Sequence, residues 1–396
     1  MKKILFIHPN LNPLCQGGAL TRLQLFLSSV NELKLDVSVM VFVPVLKWPR
    51  VFLNKSKLDK NYHWILLPSF SFYTNKFLGL FNRFYCAVIV KIIVDLKKIK
   101  LIQCELSSTL VLTKFCSKNI KLISDFHADL FPELEFYNES NWKIELAKKE
   151  TIYALKNSDY IISVSSNLQN HLKTYYRVPF TNVCQPCLPM LDNFDHDNEN
   201  RILKRKELGI NNKLVFGYLG GLQSYQCIEK SIELIGLLKK SGLNIYLCIF
   251  TNDSSDSLIS QLTLSSLNAD DYLIKNLNRK EVPLYTSVID FGLLLRVNQT
   301  INLVSSPTKG LEYLASGNAV VTTKYAGNIP DVLKNTKSGF IFENLEFQKK
   351  EIEAFILFIN EFNKNRVQNF NLSKNLVKNK FNWKNSFKKI KYIYDE

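Results

Sequence analysis

Short apolar runs of strand length recur along this chain, separated by stretches with helical periodicity. In the first half the strand-like runs are KKILFIH, DVSVMVFV, HWILLP, LIQCE, KLISDFH and YIISVS. Apolar residues spaced three and four apart predict helices near 18–33, 77–98, 107–117, 139–157 and 166–175. Regular alternation of strand and helix predicts a parallel, doubly wound sheet. The polar stretch LDNFDHDNEN (191–200) interrupts this rhythm and reads as a domain boundary. A second series follows: LVFGYLGG, a helix at 226–240, then NIYLCIF, YLIKNL, VIDFGLLLR, AVVTT and GFIF with helices between most of them. The pattern predicts an α/β chain of two Rossmann-like domains, 1–192 and 193–380, followed by a helical tail at 381–396.

Two apolar segments could be taken for something else. MKKILFIHPN has basic residues ahead of six apolar ones, but the run stops at His8 and Pro9, too early for a signal peptide. It reads as the first buried strand. Segment 77–98, FLGLFNRFYCAVIVKIIVDLKK, is unusually apolar yet carries Arg83, Lys91 and Asp95. A core helix of the sheet sandwich is the favoured reading, and a helix lying on a membrane surface is the alternative. No run of about 18 uncharged apolar residues occurs, so no membrane span is expected.

Composition narrows the picture only modestly. With 46% hydrophobic and 22% charged residues, the 396-residue chain has the make-up of a globular protein. Eight cysteines in a chain this long do not form a disulfide framework, and most sit in apolar runs. Cys184 and Cys187 have the spacing of a zinc or redox half-site, but no second CxxC or spaced histidine pair accompanies them. The expected compartment is the cytoplasm.

Charge is less even. Up to residue 121 there are 18 Lys and Arg against 5 Asp and Glu, most of the net +16. Of the 51 basic residues 42 are Lys, with no arginine-rich stripe, so nucleic acid is not an expected partner. A basic first domain suits an anionic membrane surface, and a solvated lysine-rich face without a partner is the plainer alternative. The first reading makes the protein peripheral at the inner face of the cell membrane.

The candidate chemistry lies in SSPTKGLEYLASGNAVVTT (305–323). Ser305 and Ser306 can cap a helix, Pro307 suits its first turn, Gly317 supplies the left-handed stop, and AVVTT is a buried strand. Lys309 and Glu312 then share a face near the positive end of a short helix. Such an end with a lysine attracts phosphate, and a carboxylate one turn deeper can accept from sugar hydroxyls. The alternative is an ordinary surface ion pair three residues apart. Glycines cluster at three places: Gly17 and Gly18; Gly217, Gly220 and Gly221; and Gly310, Gly317 and Gly327. The first two clusters follow the first strand of each series, where glycine lets backbone approach a phosphate or sugar. Neither completes GxGxxG. Asp195-His196-Asp197 has the spacing of a metal–diphosphate clamp but sits in the linker, so no metal site is read there.

On these motifs the chain resembles the retaining family 4 glycosyltransferases of bacterial surface polysaccharide synthesis, over nearly its whole length and most strongly from 214 to 342. The resemblance implies the GT-B fold, with two domains facing across a cleft and the C-terminal helix packing back near the first domain. It implies an enzyme that moves a sugar from a nucleotide diphosphate, most often uridine diphosphate, to a hydroxyl of a glycan or lipid-linked glycan, without a metal or other cofactor. The family's motif has two glutamates eight positions apart, the second holding the donor ribose. Glu312 matches the second, while the first falls at Val304, a departure that backbone amides around Asn302–Ser306 are expected to offset. Ser306, Pro307 and Thr308 fall in the donor-binding part of the motif, as do Gly17, Gly18, Gly220 and Gly221 at the two turns. The family's basic pair after the second glycine turn is missing from GGLQSYQCIEK. Arg296, closing DFGLLLR, is expected to replace it together with Lys309. His127, in SDFHADL, matches by position the histidine that faces the transferred sugar. Two rivals remain: a nucleotide-sugar 2-epimerase using His127, Asp125 and Asp129, and a non-catalytic nucleotide-sugar-binding member of the family.

Overall fold

The computed structural model describes residues 2–395 apart from 10–12, 15–17, 74, 190–193, 195–197, 255 and 335. Gly17 and the triplet Asp195-His196-Asp197 lie outside the described residues. The chain divides into two compact units. The first comprises Met1–Cys187 with Lys384–Glu396, and the second Leu188–Trp383.

Each unit is built on a wholly parallel sheet. In the first, β1 (Lys3–His8), β2 (Asp36–Pro44), β3 (His63–Ser69), β4 (Leu101–Glu105), β5 (Lys121–Phe126), β6 (Tyr160–Ser163) and β7 (Asn182–Cys184) take the order 3-2-1-4-5-6-7. In the second, β8 (Leu214–Leu219), β9 (Ile245–Phe250), β10 (Tyr272–Lys275), β11 (Phe291–Leu294), β12 (Ala319–Thr323) and β13 (Gly339–Phe342) take the order 10-9-8-11-12-13. The apolar runs become fully buried central strands, as covering a parallel sheet on both faces requires. Both orders reverse beside the first strand, between β1 and β4 and between β8 and β11. In parallel sheets that reversal opens a crevice at the carboxyl ends of the strands.

Helix α1 (Gly18–Glu32) lies on the first sheet through Leu20, Leu23, Phe26, Leu27 and Val30. Its Arg22 is also buried. Nε and Nη2 grip both oxygens of Asp125 at 2.8 and 2.6 Å, and Nη1 donates to the Gln185 carbonyl at 2.9 Å. The C-terminal residues bind the same unit: Tyr394 Oη donates to Gln103 Oε1 at 2.6 Å, and Ser386 Oγ to Gln185 Oε1 at 2.9 Å.

Two helices of this unit differ from expectation. The segment after β2 contains a short helix, α2 (Trp48–Leu53), which the sequence reading did not foresee. Helix α3 (Lys76–Lys97) begins where Asn75 accepts from the amides of Phe77 and Leu78, and ends at left-handed Lys98. It is long and apolar enough to cross a membrane by length and composition. One face does pack on the domain: Asn82 binds Ser69 and Phe70, and Arg83 pairs with buried Glu150 at 2.6 Å. The expectation of a core helix holds for that face alone. Phe77, Leu78, Leu80, Phe81 and Phe84 on the other are exposed, because a helix on a sheet has neighbours along one stripe only.

The second unit is centred on a phenylalanine cluster, with Phe216 stacked on Phe291 and both edge-on to Phe355. At the opposite end of this sheet from the crevice, Asp290 precedes β11 and is buried among three guanidinium groups. Arg201 lies 2.5 Å away and Arg205 3.2 Å, and Arg366 also pairs with it. The same carboxylate accepts from the amide of Val215 at 2.9 Å. Arg201 and Arg205 share one face of the helix Asn198–Glu207, and both also donate to carbonyls of the turn before β11.

Candidate functional site

The 305–323 motif folds broadly as its punctuation suggests. Gly317 has φ of +85°, inside the left-handed region, and ends the helix Thr308–Ala315 before β12. Its start differs. Pro307 is the N-cap and no side chain caps the helix, so the expected serine cap is corrected. Ser305 Oγ instead donates to the Asn302 carbonyl at 2.7 Å, and Ser306 Oγ is buried without a hydrogen-bond partner. The amides of Asn302, Leu303, Val304 and Ser305 all donate within their own short helix and turn. That local bonding leaves Ser306 as the part of the 302–306 stretch with polar capacity to spare. Val304 is buried.

Lys309 and Glu312 are not a surface pair. Glu312 is buried and Lys309 half-buried, and they make no ion pair with each other. Lys309 Nζ donates to Gln226 Oε1 at 2.5 Å and sits where a side chain on Gly220 would be. Gly220 has φ of +148°, a conformation few other residues adopt, so this turn needs glycine both for its backbone and for the lysine beside it. Gly221 accepts from Tyr218 Oη at 2.6 Å.

Arg296, just beyond β11, reaches the same turn from the other side of the switch point. Its Nη1 donates to the carbonyls of Gln226 at 3.2 Å and Leu295 at 2.8 Å, and its backbone amide donates to Thr323 Oγ1 at 3.1 Å. Gln226 thus binds both cations, one through its side chain and one through its carbonyl. Among the described residues neither Arg296 nor Lys309 makes an ion pair with a carboxylate. Burial, and then the charge of Arg296, push the Lys309 amine down to about 7, against the weaker pull of Glu312 and Asp253. Burial likewise lowers Arg296 and raises the Glu312 carboxyl, the latter opposed by Arg279 at 3.6 Å. Two cations pressing on each other, one buried and one half-buried, can hold a compact polyanion.

A second polar cluster stands at the switch point of the first unit. Glu105 closes β4, His8 closes β1, and His127 follows β5. Glu105 pairs with His8, and with His127 Nδ1 at 3.2 Å. Burial works against the Glu105 carboxylate, but His8, His127 and Arg22 outweigh it and hold its pKa below the ordinary value. Burial lowers the His127 imidazole against the pull of Glu105. Asp125 is spent on Arg22, while Asp129 accepts from Tyr176 and faces His171 Nε2 at 3.0 Å. Two of the three acid/base candidates of an epimerase are therefore buried and fully engaged. Gly18 opens α1, and a side chain there would meet open space, so packing does not require glycine at that position. Cys184 and Cys187 are free thiols, and no group of three or more metal-ligating side chains occurs among the described residues.

Sequence reasoning missed Gln226, Arg279, Glu105 and His8. A signal existed for two of them, since His8 and Glu105 are polar residues closing apolar runs, where strand ends of a parallel sheet face the crevice.

Residues 200–383, most of the second unit, match the family model described as glycosyl transferases group 1. An uncharacterised glycosyltransferase of Methanocaldococcus jannaschii is 23% identical over 365 residues, 88% of this chain and 79% of the relative. The fold is similar to that of sucrose-phosphate synthase from Thermosynechococcus elongatus, with a TM-score of 0.80 at 13% identity over 100% of this chain and 98% of the other. It is also similar to Anabaena HepE solved with UDP-glucose, with a TM-score of 0.73 at 15% identity over 100% of both chains. These likenesses identify the two parallel-sheet units as the domains of a GT-B fold.

Proposed function

We propose that this chain is a glycosyltransferase that moves a sugar from a nucleoside diphosphate, with uridine as the favoured base, to a hydroxyl of a glycan or lipid-linked glycan, as in the retaining family 4 enzymes of surface polysaccharide synthesis. The observation that carries the proposal is the pair of buried Arg296 and half-buried Lys309, held together at the glycine turn with no carboxylate partner among the described residues. As the bond from the anomeric carbon to the β-phosphate breaks, charge grows on the departing oxygen, and both cations neutralise it. The acceptor oxygen bonds the anomeric carbon and its proton passes to the departing phosphate. Departure and attack on one face retain the configuration. In this reading the cations and the helix end at Thr308 meet the phosphate charge, so the proposed reaction needs no metal. Ser306 Oγ is a further donor for the phosphates. Glu312 accepts from the ribose hydroxyls, and His127, held through Nδ1 by Glu105, faces the transferred sugar. The binding of UDP-glucose by the HepE fold supports the choice of nucleotide.

Thermal unfolding with a panel of nucleoside diphosphate sugars tests the reading, because a donor at 100 times its dissociation constant adds about 2.7 kcal/mol of stability. No stabilisation by any of them would overturn it. Donor incubated without acceptor should persist, or hydrolyse slowly at most; conversion to a 2-epimer would favour the epimerase, and binding without turnover on any acceptor the non-catalytic protein.

Glu312→Gln is expected to weaken binding of the nucleoside diphosphate at least tenfold, since a charge-assisted hydrogen bond contributes roughly 1.5–3 kcal/mol. Calorimetry on the folded variant measures it, and unchanged affinity would remove Glu312 from the site.

Affinity should also depend on pH through Lys309. Its amine titrates near 7 in the free protein, so each unit above that removes the cation from a growing fraction of molecules. The diphosphate dissociation constant should rise by up to about tenfold per pH unit in this range, and Lys309→Met should flatten the profile. Stability of the unliganded protein should move the other way. Between about 7 and the ordinary 10.5 the unfolded chain holds the extra proton, so the Lys309 contribution to stability grows as pH rises.

A further inference from the structure

The first unit carries an apolar surface that the transfer reading does not use. Phe77 is 81% exposed and Phe81 68%, with Leu78, Leu80 and Phe84 beside them over the first turns of α3. Phe84 meets the ring of Phe115 edge-on, and Lys114 lies over that ring at 4.7 Å. Around α2, Leu46 is 95% and Leu53 81% exposed, and Phe52 stacks on Trp48. Both segments leave the carboxyl end of neighbouring strands, α2 after β2 and α3 after β3. They are tied together there: the Val45 amide donates to the Ser69 carbonyl at 3.0 Å, and the Phe70 amide to Asn82 of α3 at 3.3 Å. Surfaces of this kind on a folded protein mark a contact with something apolar.

The charge around this surface says what covers it. Lys47, Arg50, Lys55, Lys57 and Lys60 are exposed along the α2 segment, where Asp59 is the one acidic residue. Lys76, Lys114 and Lys118 are exposed on the α3 side. Exposed aromatic and leucine side chains on segments that also carry exposed lysines match the boundary between phosphate headgroups and acyl chains. A protein partner of ordinary composition would not call for so one-sided a charge.

We propose that the first unit docks on an anionic lipid surface through α2 and the first turns of α3. Phe77, Phe81 and Leu53 enter the headgroup–acyl boundary, and the surrounding lysines lie on the lipid phosphates. The helix lies on the membrane and does not cross it, because Asn82, Arg83 and the Cys86–Val94 face are fixed to the sheet. The strand ends that carry Glu105 and His127 belong to the same rim of this sheet, so docking brings that rim to the membrane. The proposal stands whether or not the chain transfers sugar.

Flotation of the full chain with vesicles tests it directly. Binding is expected to phosphatidylcholine vesicles containing phosphatidylglycerol, and much less to phosphatidylcholine alone. Salt should weaken it steeply but leave a residue, since screening removes the ionic part and spares the apolar part. Phe77→Ser with Phe81→Ser should lower partitioning by roughly tenfold or more, from the apolar burial lost by two side chains. These residues are exposed, so melting of the variant should match the parent. A control pair in the second unit, Leu264→Ser with Leu357→Ser, removes equally exposed side chains and should leave partitioning unchanged. Three results would overturn the proposal: no binding to the anionic vesicles, equal loss in the control pair, or full binding by the Phe77/Phe81 variant. A parent dimer that the same double substitution separates would assign the face to a second copy of this chain instead.

Discussion

Replacing Arg296 by alanine should lower turnover by about 10²–10³ while changing donor affinity far less, because a preorganised donor aimed at developing charge acts mainly in the transition state. The structure gives the reason for choosing this residue. Arg296 is buried at the switch point of the second sheet, and Nη1 alone is spent, on two backbone carbonyls. No other hydrogen bond of its guanidinium forms among the described residues. Holding a buried guanidinium in this state is unfavourable unless an anion completes it. Arg296→Lys should already impair the reaction, since an ammonium cannot copy a planar fork that anchors one nitrogen on backbone carbonyls and keeps the others for an anion. The decisive readout is the division between kcat and KM on protein whose melting is unchanged. Glu312→Gln should chiefly raise KM, whereas Arg296→Ala should chiefly lower kcat. A purely structural arginine would show neither pattern, only loss of folded protein, and near-normal turnover in Arg296→Ala would end the assignment.

The largest effect on stability is expected at Asp290. Its single carboxylate faces Arg201, Arg205 and Arg366 and accepts from the Val215 amide, all at the start of β11. Burial lowers the pKa of all three guanidiniums. Asp290→Ala would leave buried cations without an anion, at a cost of about 3–5 kcal/mol. For a domain of this size that is roughly 6–20 °C in melting temperature. Asp290→Asn keeps the shape and should still lose most of it, because the charge is what the three arginines share. Denaturant unfolding followed on the second unit measures the change, and a loss under about 1 kcal/mol would mean that water, not Asp290, compensates the arginines. The crevice lies at the far end of the strands, so surviving folded Asp290→Asn should bind donor normally.

The two experiments probe features of very different legibility. Arg296 could be picked out in sequence because it ends an apolar run just before the SPTK motif, at the place where parallel strands present functional groups. Asp290 ends no motif. It precedes the same run as an ordinary turn aspartate, and two of its partners lie in a helix that begins near residue 198, the third in one that begins at Arg366. Nothing local to any of the four residues signals that they meet.

The same division runs through the whole molecule. Strand and helix positions, the parallel character of both sheets, and the Gly317 stop follow from periodicity and from backbone preferences, which act over a few residues and are written into the sequence. Lys309 and Glu312 could be placed on one helix face for that reason. What they touch could not. Gln226 joins Lys309 to Arg296 because strand order sets β8 beside β11, and strand order is decided by how helices cover the sheet. Glu105 meets His8 and His127 through the corresponding neighbours, β1, β4 and β5. Helix α3 shows the converse: its composition told that it is apolar, but only packing decided that one face has a sheet to bury against and the other has none. Local pattern fixes which side chains share a face, whereas contacts between residues far apart in the chain exist only once the sheets have closed.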